Sequence, residues 1–246
     1  MSYIHTEHFS IRTSEINHLK RIHPHAFVQL MQEASMQHTI GMQVSVWDLE
    51  SMNGSWVLIK MEVNFVHFPL LNEQITVHTF PSGKDGYFTF RDYSAYDKAG
   101  RICATASSQW TMMNIESRKM MKIPDAFGSL VFHTDDPLPK PDFRLPPILS
   151  DAPFIEITSG YLHLDWNGHV NNVLMVRMIM ESLGNEIFYR KKLKTLKIQF
   201  KSEVVIAQRL KIAFESFEAQ NIIRHAVTDI SSGKDVVLAE TSWENY

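Results

Sequence analysis

Asp165, Asn167 and His169 sit at alternate positions in Leu164-Asp165-Trp166-Asn167-Gly168-His169-Val170-Asn171-Asn172, and an apolar run follows at once. Residues two apart in an extended segment project to one side. A carboxylate, an amide and an imidazole aimed at one space can orient a water molecule or polarise a carbonyl. A further carboxylate, Glu203, stands beside Lys201 and Ser202 in a segment that reads as a strand. Asn171 and Asn172 are candidate helix caps, because Asn is favoured there, and Asn172 is the better placed. His163, Asp165 and His169 also have side chains that bind metals, but no second ligand cluster accompanies them, and neither a metal nor a cofactor is expected.

The elements that must position these groups occur twice. Val63-Asn64-Phe65 aligns with Ile198-Gln199-Phe200, and Glu73-Gln74-Ile75-Thr76-Val77 aligns at the same offset with Gln208-Arg209-Leu210-Lys211-Ile212. Arg91, Gly100, Ala106 and Trp110 fall on Arg224, Gly233, Ala239 and Trp243, and Leu30-Met31-Gln32-Glu33 falls on Met178-Ile179-Met180-Glu181. The order is kept while the offset drifts, as loop insertions in a duplicated chain produce. Helical spacing of apolar residues predicts helices over 25–40 and 170–187, the second apolar nearly all round and so buried. Strands are predicted over 56–65, 74–80, 87–96 and 101–114, then over 194–200, 209–217, 222–229 and 235–243. One helix wrapped by an antiparallel sheet, repeated, is an α+β duplicated hot-dog fold. Residues 132–153 hold Pro137, Pro139, Pro141, Pro146, Pro147 and Pro153, and read as a linker between repeats at 1–131 and 154–246.

The repeat separates structure from chemistry. Glu203 falls on Phe68, and before the first helix stands Leu19-Lys20-Arg21-Ile22-His23-Pro24, with no polar set equivalent to residues 163–169. A structural role would be shared by both halves. One active site is therefore expected, in the second half near its helix start, where backbone N–H groups can support an oxyanion.

Composition narrows the function classes. A net charge of -3 excludes a nucleic-acid polycation. No apolar run reaches the length of a membrane span, and Met1-Ser2-Tyr3-Ile4-His5-Thr6-Glu7 lacks the basic and apolar regions of a signal peptide. Cys103 is the only cysteine, so no internal disulfide forms and a buried packing role is expected. The 13 Met and 15 Phe can line a pocket for an alkyl chain or simply fill the core.

Two motifs resemble those of the acyl-acyl-carrier-protein thioesterases, a family with plastid and bacterial members. The first is Asp165-Trp166-Asn167-Gly168-His169-Val170-Asn171-Asn172 with Glu181-Ser182 further along the helix. The second runs from Ser108-Gln109-Trp110-Thr111-Met112-Met113-Asn114 through Ser117-Arg118-Lys119 to Lys122-Ile123-Pro124. The resemblance implies a hydrolase that frees a fatty acid from acyl carrier protein, with Asp165, Asn167, His169 and Glu203 as its active-site residues. The roles expected of them are Glu203 as general base for water, Asn167 as holder of that water or the carbonyl, His169 as orienting group and proton donor to the thiolate, and Asp165 as their support. Plant members follow the Glu with a Cys. Val204 stands there in this chain, which favours direct attack by water. With no transit peptide ahead of the domain, a bacterial, cytoplasmic member is expected.

Arg190, Lys191, Lys192 and Lys194 form a basic cluster just past the second helix. It reads either as a solvated face or as a dock for an acidic carrier protein. An acyl-coenzyme A thioesterase, a hot-dog β-hydroxyacyl-thioester dehydratase or hydratase, and a non-catalytic acyl-binding protein are the competing functions. No nucleic acid or membrane partner is expected, and the chain can be a monomer or a homodimer, since a duplicated hot-dog supplies its own internal pairing.

Overall fold

The structure is a computed structural model that describes residues 4–123, 132–133, 137–149 and 151–246. It divides into two compact units, Met1–Asp142 and Phe143–Tyr246. The first unit contains β1 (His5–Ser10), α1 (Pro24–Gly41), α2 (Val46–Glu50), β2 (Gly54–Phe65), β3 (Gln74–Asp85), β4 (Phe88–Asp97), β5 (Ile102–Asn114) and β6 (Met120–Met121). Its antiparallel sheet runs in the order β1-β3-β4-β5-β2, with β6 folded back on β5. The second unit contains β7 (Phe154–Thr158), α3 (Asn172–Glu181), α4 (Asn185–Arg190), β8 (Lys191–Phe200), β9 (Arg209–Phe217), β10 (Ile222–Asp229) and β11 (Lys234–Asn245). Its sheet runs β7-β9-β10-β11-β8, the same permutation as the first. The duplicated α+β hot-dog is thus present in both order and pairing.

Each helix forms for local reasons. Pro24 occupies the first turn of α1, where its missing N–H is no loss. Phe27, Leu30, Met31, Ala34 and His38 then return to one buried side, and the helix lies against β1 and β3. In α3, Val173, Met175, Val176, Met178, Ile179 and Met180 are buried, leaving an exposed strip of Arg177 and Glu181. Those two close an ion pair at 2.7 Å, the i,i+4 spacing of one helix face. Full burial of one such apolar side chain contributes about 1.5–3 kcal/mol, which sets α3 deep in its surroundings.

The second helix is shorter than the apolar pattern predicts. It ends at Glu181, and Ser182 donates its hydroxyl proton to the Ile179 carbonyl 2.8 Å away. Gly184 then serves as the N-cap of α4, so the apolar residues Ile187 and Phe188 belong to a separate short helix. The edge strands β1 and β7 were not expected, since β1 is mostly polar and β7 is only five residues long beside a proline-rich segment. Pairing with β3 and β9 holds them in place. β3 extends past its predicted end through Pro81, where a register shift removes the need for the missing N–H.

The Ser108–Asn114 motif lies on β5. The Trp110 indole N–H donates to Ser108 Oγ at 2.7 Å, and Asn114 Oδ1 accepts from the Ser117 N–H at 2.8 Å to start the turn into β6. Pro124, which ends that motif, lies outside the described residues, as do parts of the segment 132–153. Cys103 is fully enclosed, and burial first, then the nearby carboxylates, pushes its thiol up to about 11. Its place is in the packed core, where a thiol serves as a small apolar side chain.

Candidate active site

Residues 164–170 do not form an extended segment, as the alternation of polar residues suggests, but a closed turn. Leu164 and Val170 pair across its base. The Asp165 N–H donates to the His169 carbonyl at 2.8 Å, and the Gly168 N–H to the Asp165 carbonyl at 3.1 Å. Asp165 Oδ1 accepts from the N–H groups of Asn167 (2.8 Å) and His169 (3.2 Å). Gly168 has φ +72, a conformation that a Cβ penalises. Asp165 therefore supports Asn167 and His169 through their backbones.

The flanking residues fasten this turn. His163 Nδ1 accepts from the Gly160 N–H at 3.0 Å, while its carbonyl accepts from the Asn171 N–H at 2.9 Å. Nδ1 is thus committed as an acceptor inside the loop. Asn171, not Asn172, caps α3, its Oδ1 accepting from the Val173 N–H at 2.8 Å. Asn172 is the first helical residue.

Glu203 lies three residues beyond the end of β8, in a loop and not in a strand. The Val236 carbonyl accepts from both the Lys201 and Ser202 N–H groups, which breaks the ladder there. The Val204 carbonyl then accepts from the Val170 N–H at 2.8 Å, docking this loop on the turn before α3. The result sets Glu203 Oε2 3.4 Å from His169 Nε2, each side chain about a quarter exposed (27% and 24%). Asn167 is exposed on the same turn. The fold brings His169 and Glu203 together across a long stretch of chain, on and against the turn whose backbone Asp165 holds. Half-shielded, paired and open to solvent on one side, these groups can move a proton to or from a bound water.

The first unit has a twin of this turn, which the sequence reading did not find. Ile16 pairs with Ile22, the Asn17 N–H donates to the Arg21 carbonyl at 2.9 Å, and the Lys20 N–H donates to the Asn17 carbonyl at 2.9 Å. Asn17 Oδ1 accepts from the Leu19 and Arg21 N–H groups, as Asp165 does from Asn167 and His169. Lys20 has φ +60, matching Gly168. The Ile22 N–H donates to the Pro69 carbonyl, the counterpart of Val204. The signal was available: carrying the helix offset back past Pro24 puts Asn17 on Asp165. At the candidate site positions the twin has Leu19 for Asn167, Arg21 for His169 and Phe68 for Glu203. Phe68 stacks on Phe65 at 5.3 Å and meets Phe27 edge-on.

Three comparisons with known proteins place the chain as a whole. Residues 2–130 match the acyl-ACP thioesterase N-terminal domain, and residues 150–245 match the acyl-ACP thioesterase C-terminal domain. The chain belongs to the acyl-ACP thioesterase family. A chloroplastic acyl-acyl-carrier-protein hydrolase of Cuphea viscosissima is 27% identical over 96% of the chain. A chloroplastic palmitoyl-acyl carrier protein thioesterase of Arabidopsis thaliana is 28% identical over 97% of it. The chain spans 62% and 63% of those two proteins. An acyl-ACP thioesterase from Bacteroides thetaiotaomicron superposes with a TM-score of 0.89 at 20% identity, covering 98% of each chain. The 12:0-ACP thioesterase from Umbellularia californica gives 0.89 at 21% identity over 100% of this chain and 99% of its own. At those identities the likeness is one of fold.

The basic cluster of this family member is largely engaged. Arg190 lies 3.6 Å from Glu186. The Lys191 ammonium donates to Asn221 Oδ1 at 2.8 Å, and Lys192 and Lys194 share Glu244 at 3.4 and 3.3 Å. Its net positive charge is smaller than the sequence run suggests. Among the described residues no group of three or more His, Cys, Asp or Glu is arranged to hold a metal, and no helix is long and apolar enough to cross a membrane.

Proposed function

We propose that this chain hydrolyses the thioester of an acyl-acyl carrier protein at Glu203, His169, Asn167 and Asp165. The observation that carries this reading is the facing pair His169–Glu203, on a turn and a docked loop whose twins in the first unit lack both groups. The names of the relatives supply the substrate class. Glu203 takes a proton from water as its oxygen attacks the thioester carbon. The Asn167 amide steadies that water or the carbonyl oxygen. The carbon–sulfur bond then breaks, His169 gives a proton to the departing thiolate, and the proton that Glu203 took from water passes to His169, 3.4 Å away, giving a free fatty acid and the carrier thiol with both groups restored. Asp165 holds the backbone on which Asn167 and His169 stand. Val204 next to Glu203 leaves water as the nucleophile, with no acyl-enzyme on sulfur.

The carrier docks, in this proposal, near Arg190, Lys191, Lys192 and Lys194, where charge pairs speed encounter. The test offers acyl-carrier protein and acyl-coenzyme A of several chain lengths and follows free thiol and enoyl absorbance together. Thiol release favouring the carrier form is expected. Preference for coenzyme A would move the substrate class, and enoyl absorbance without thiol would overturn hydrolysis.

A further inference from the structure

We propose that Ser159 is a positioning residue for Glu203, an inference that rests on the hydrolytic reading of the site. Ser159 is 2% exposed, in the segment between β7 and the turn before α3. Its hydroxyl donates to the Val205 carbonyl at 2.5 Å, with the Gln208 carbonyl also within reach at 3.3 Å, and accepts from the Gln208 N–H at 2.9 Å. Val205 is two residues from Glu203, so the hydroxyl ties down the limb of the loop that leaves the carboxylate.

The first unit is the control. Ile11 stands at the matching place, also 2% exposed. Its N–H donates to the Glu73 carbonyl at 3.0 Å, and its carbonyl accepts from the Asn72 N–H at 2.9 Å. Ser159 repeats both bonds with Gln208 and Ala207, at 3.0 and 2.9 Å. Even the side-chain acceptor is duplicated: Glu73 takes the Leu70 N–H and Gln208 the Val205 N–H. The hydroxyl bonds are what the second unit adds. An isoleucine satisfies the fold at this place and buries more apolar surface, whereas a buried hydroxyl is tolerated only when bonded. The unit that gives up the apolar side chain is the one whose loop must hold a carboxylate 3.4 Å from an imidazole.

The test is Ser159→Ile, which installs the residue of the first unit, with Ser159→Ala beside it in case the larger side chain does not fit. Both are read in steady-state turnover, in thermal midpoint, and in a double-mutant cycle with Glu203→Gln. Loss of the tie should lower kcat by about three- to tenfold, the worth of one or two hydrogen bonds, with KM within about twofold. Ser159→Thr, which keeps a hydroxyl, should recover most of it. In the Glu203→Gln background the Ser159 substitutions should cost nothing further, since a carboxylate that is gone cannot be misplaced. Full activity of Ser159→Ala at an unchanged midpoint would overturn the proposal. So would a loss that adds in full to that of Glu203→Gln, the mark of a structural effect. Normal turnover by Glu203→Gln alone would instead sink the hydrolytic reading, so the two failures are distinguishable.

Discussion

Residues 16–22 and 164–170 close the same turn with the same backbone bonds, yet one ends in leucine, arginine and a nearby phenylalanine and the other in asparagine, histidine and glutamate. The first position accepts two N–H groups through a side-chain oxygen, Asn17 in one turn and Asp165 in the other. The fourth takes a positive φ, Lys20 or Gly168. Those two positions make the loop. The third and fifth enter those bonds through their backbones only, so their side chains are free to differ. The neighbouring loop behaves alike, since Pro69 and Val204 both receive the N–H that precedes the helix, while Phe68 packs in an aromatic cluster and Glu203 faces His169. The duplicated units thus share a scaffold, and Asn167, His169 and Glu203, the groups proposed for the chemistry, stand at positions whose side chains the shared bonds do not use.

That contrast can be broken, most sharply at Glu203. Glu203→Gln keeps the shape and removes the base, and kcat should fall at least about a hundredfold with the thermal midpoint unchanged. Turnover near that of the parent would return the second unit to the same inert status as the first. Asn167→Leu installs the first unit's residue at an exposed position outside the loop's side-chain ties. A loss of roughly ten- to a hundredfold is expected from removing an amide that steadies water or carbonyl, with stability unaltered. A smaller loss would place the polarising group elsewhere.

Asp165→Asn tests the comparison from the other side. Asn17 already accepts both N–H groups as an amide, so the loop should survive and activity should drop less than about tenfold, the scale of one or two weakened hydrogen bonds. A loss matching that of Glu203→Gln would show that the Asp165 charge itself serves the reaction. The smallest effect is expected at the basic cluster. Lys191→Glu with Lys192→Glu should raise KM for the carrier-bound substrate severalfold, on the order of 1 kcal/mol, and more than for a coenzyme A substrate. Equal effects on both would remove this surface from carrier recognition.

Much of this arrangement is legible without coordinates. Strands 209–217 and 222–229 fall where alternation sets them, and α1 begins and ends within a residue of its predicted span. The failures have local causes. The run to residue 187 keeps an apolar pattern across Ser182 and Gly184, and pattern alone does not register a serine that bonds back to the helix. His5–Ser10 looks too polar for a strand because this edge only half-buries alternate residues and leaves the others exposed. Glu203 looks like a strand residue because the double acceptance by the Val236 carbonyl, far along the chain, is what ends the ladder.

The sequence by itself determined the duplication, the α+β class and the half that carries the polar groups. Those follow from apolar periodicity and from residue types that only one half possesses. The meeting of His169 with Glu203, the use of Asp165 on backbone N–H groups and the tie from Ser159 were decided by tertiary structure alone. Each depends on one loop docking against another through backbone carbonyls, groups that every residue shares and no residue type announces.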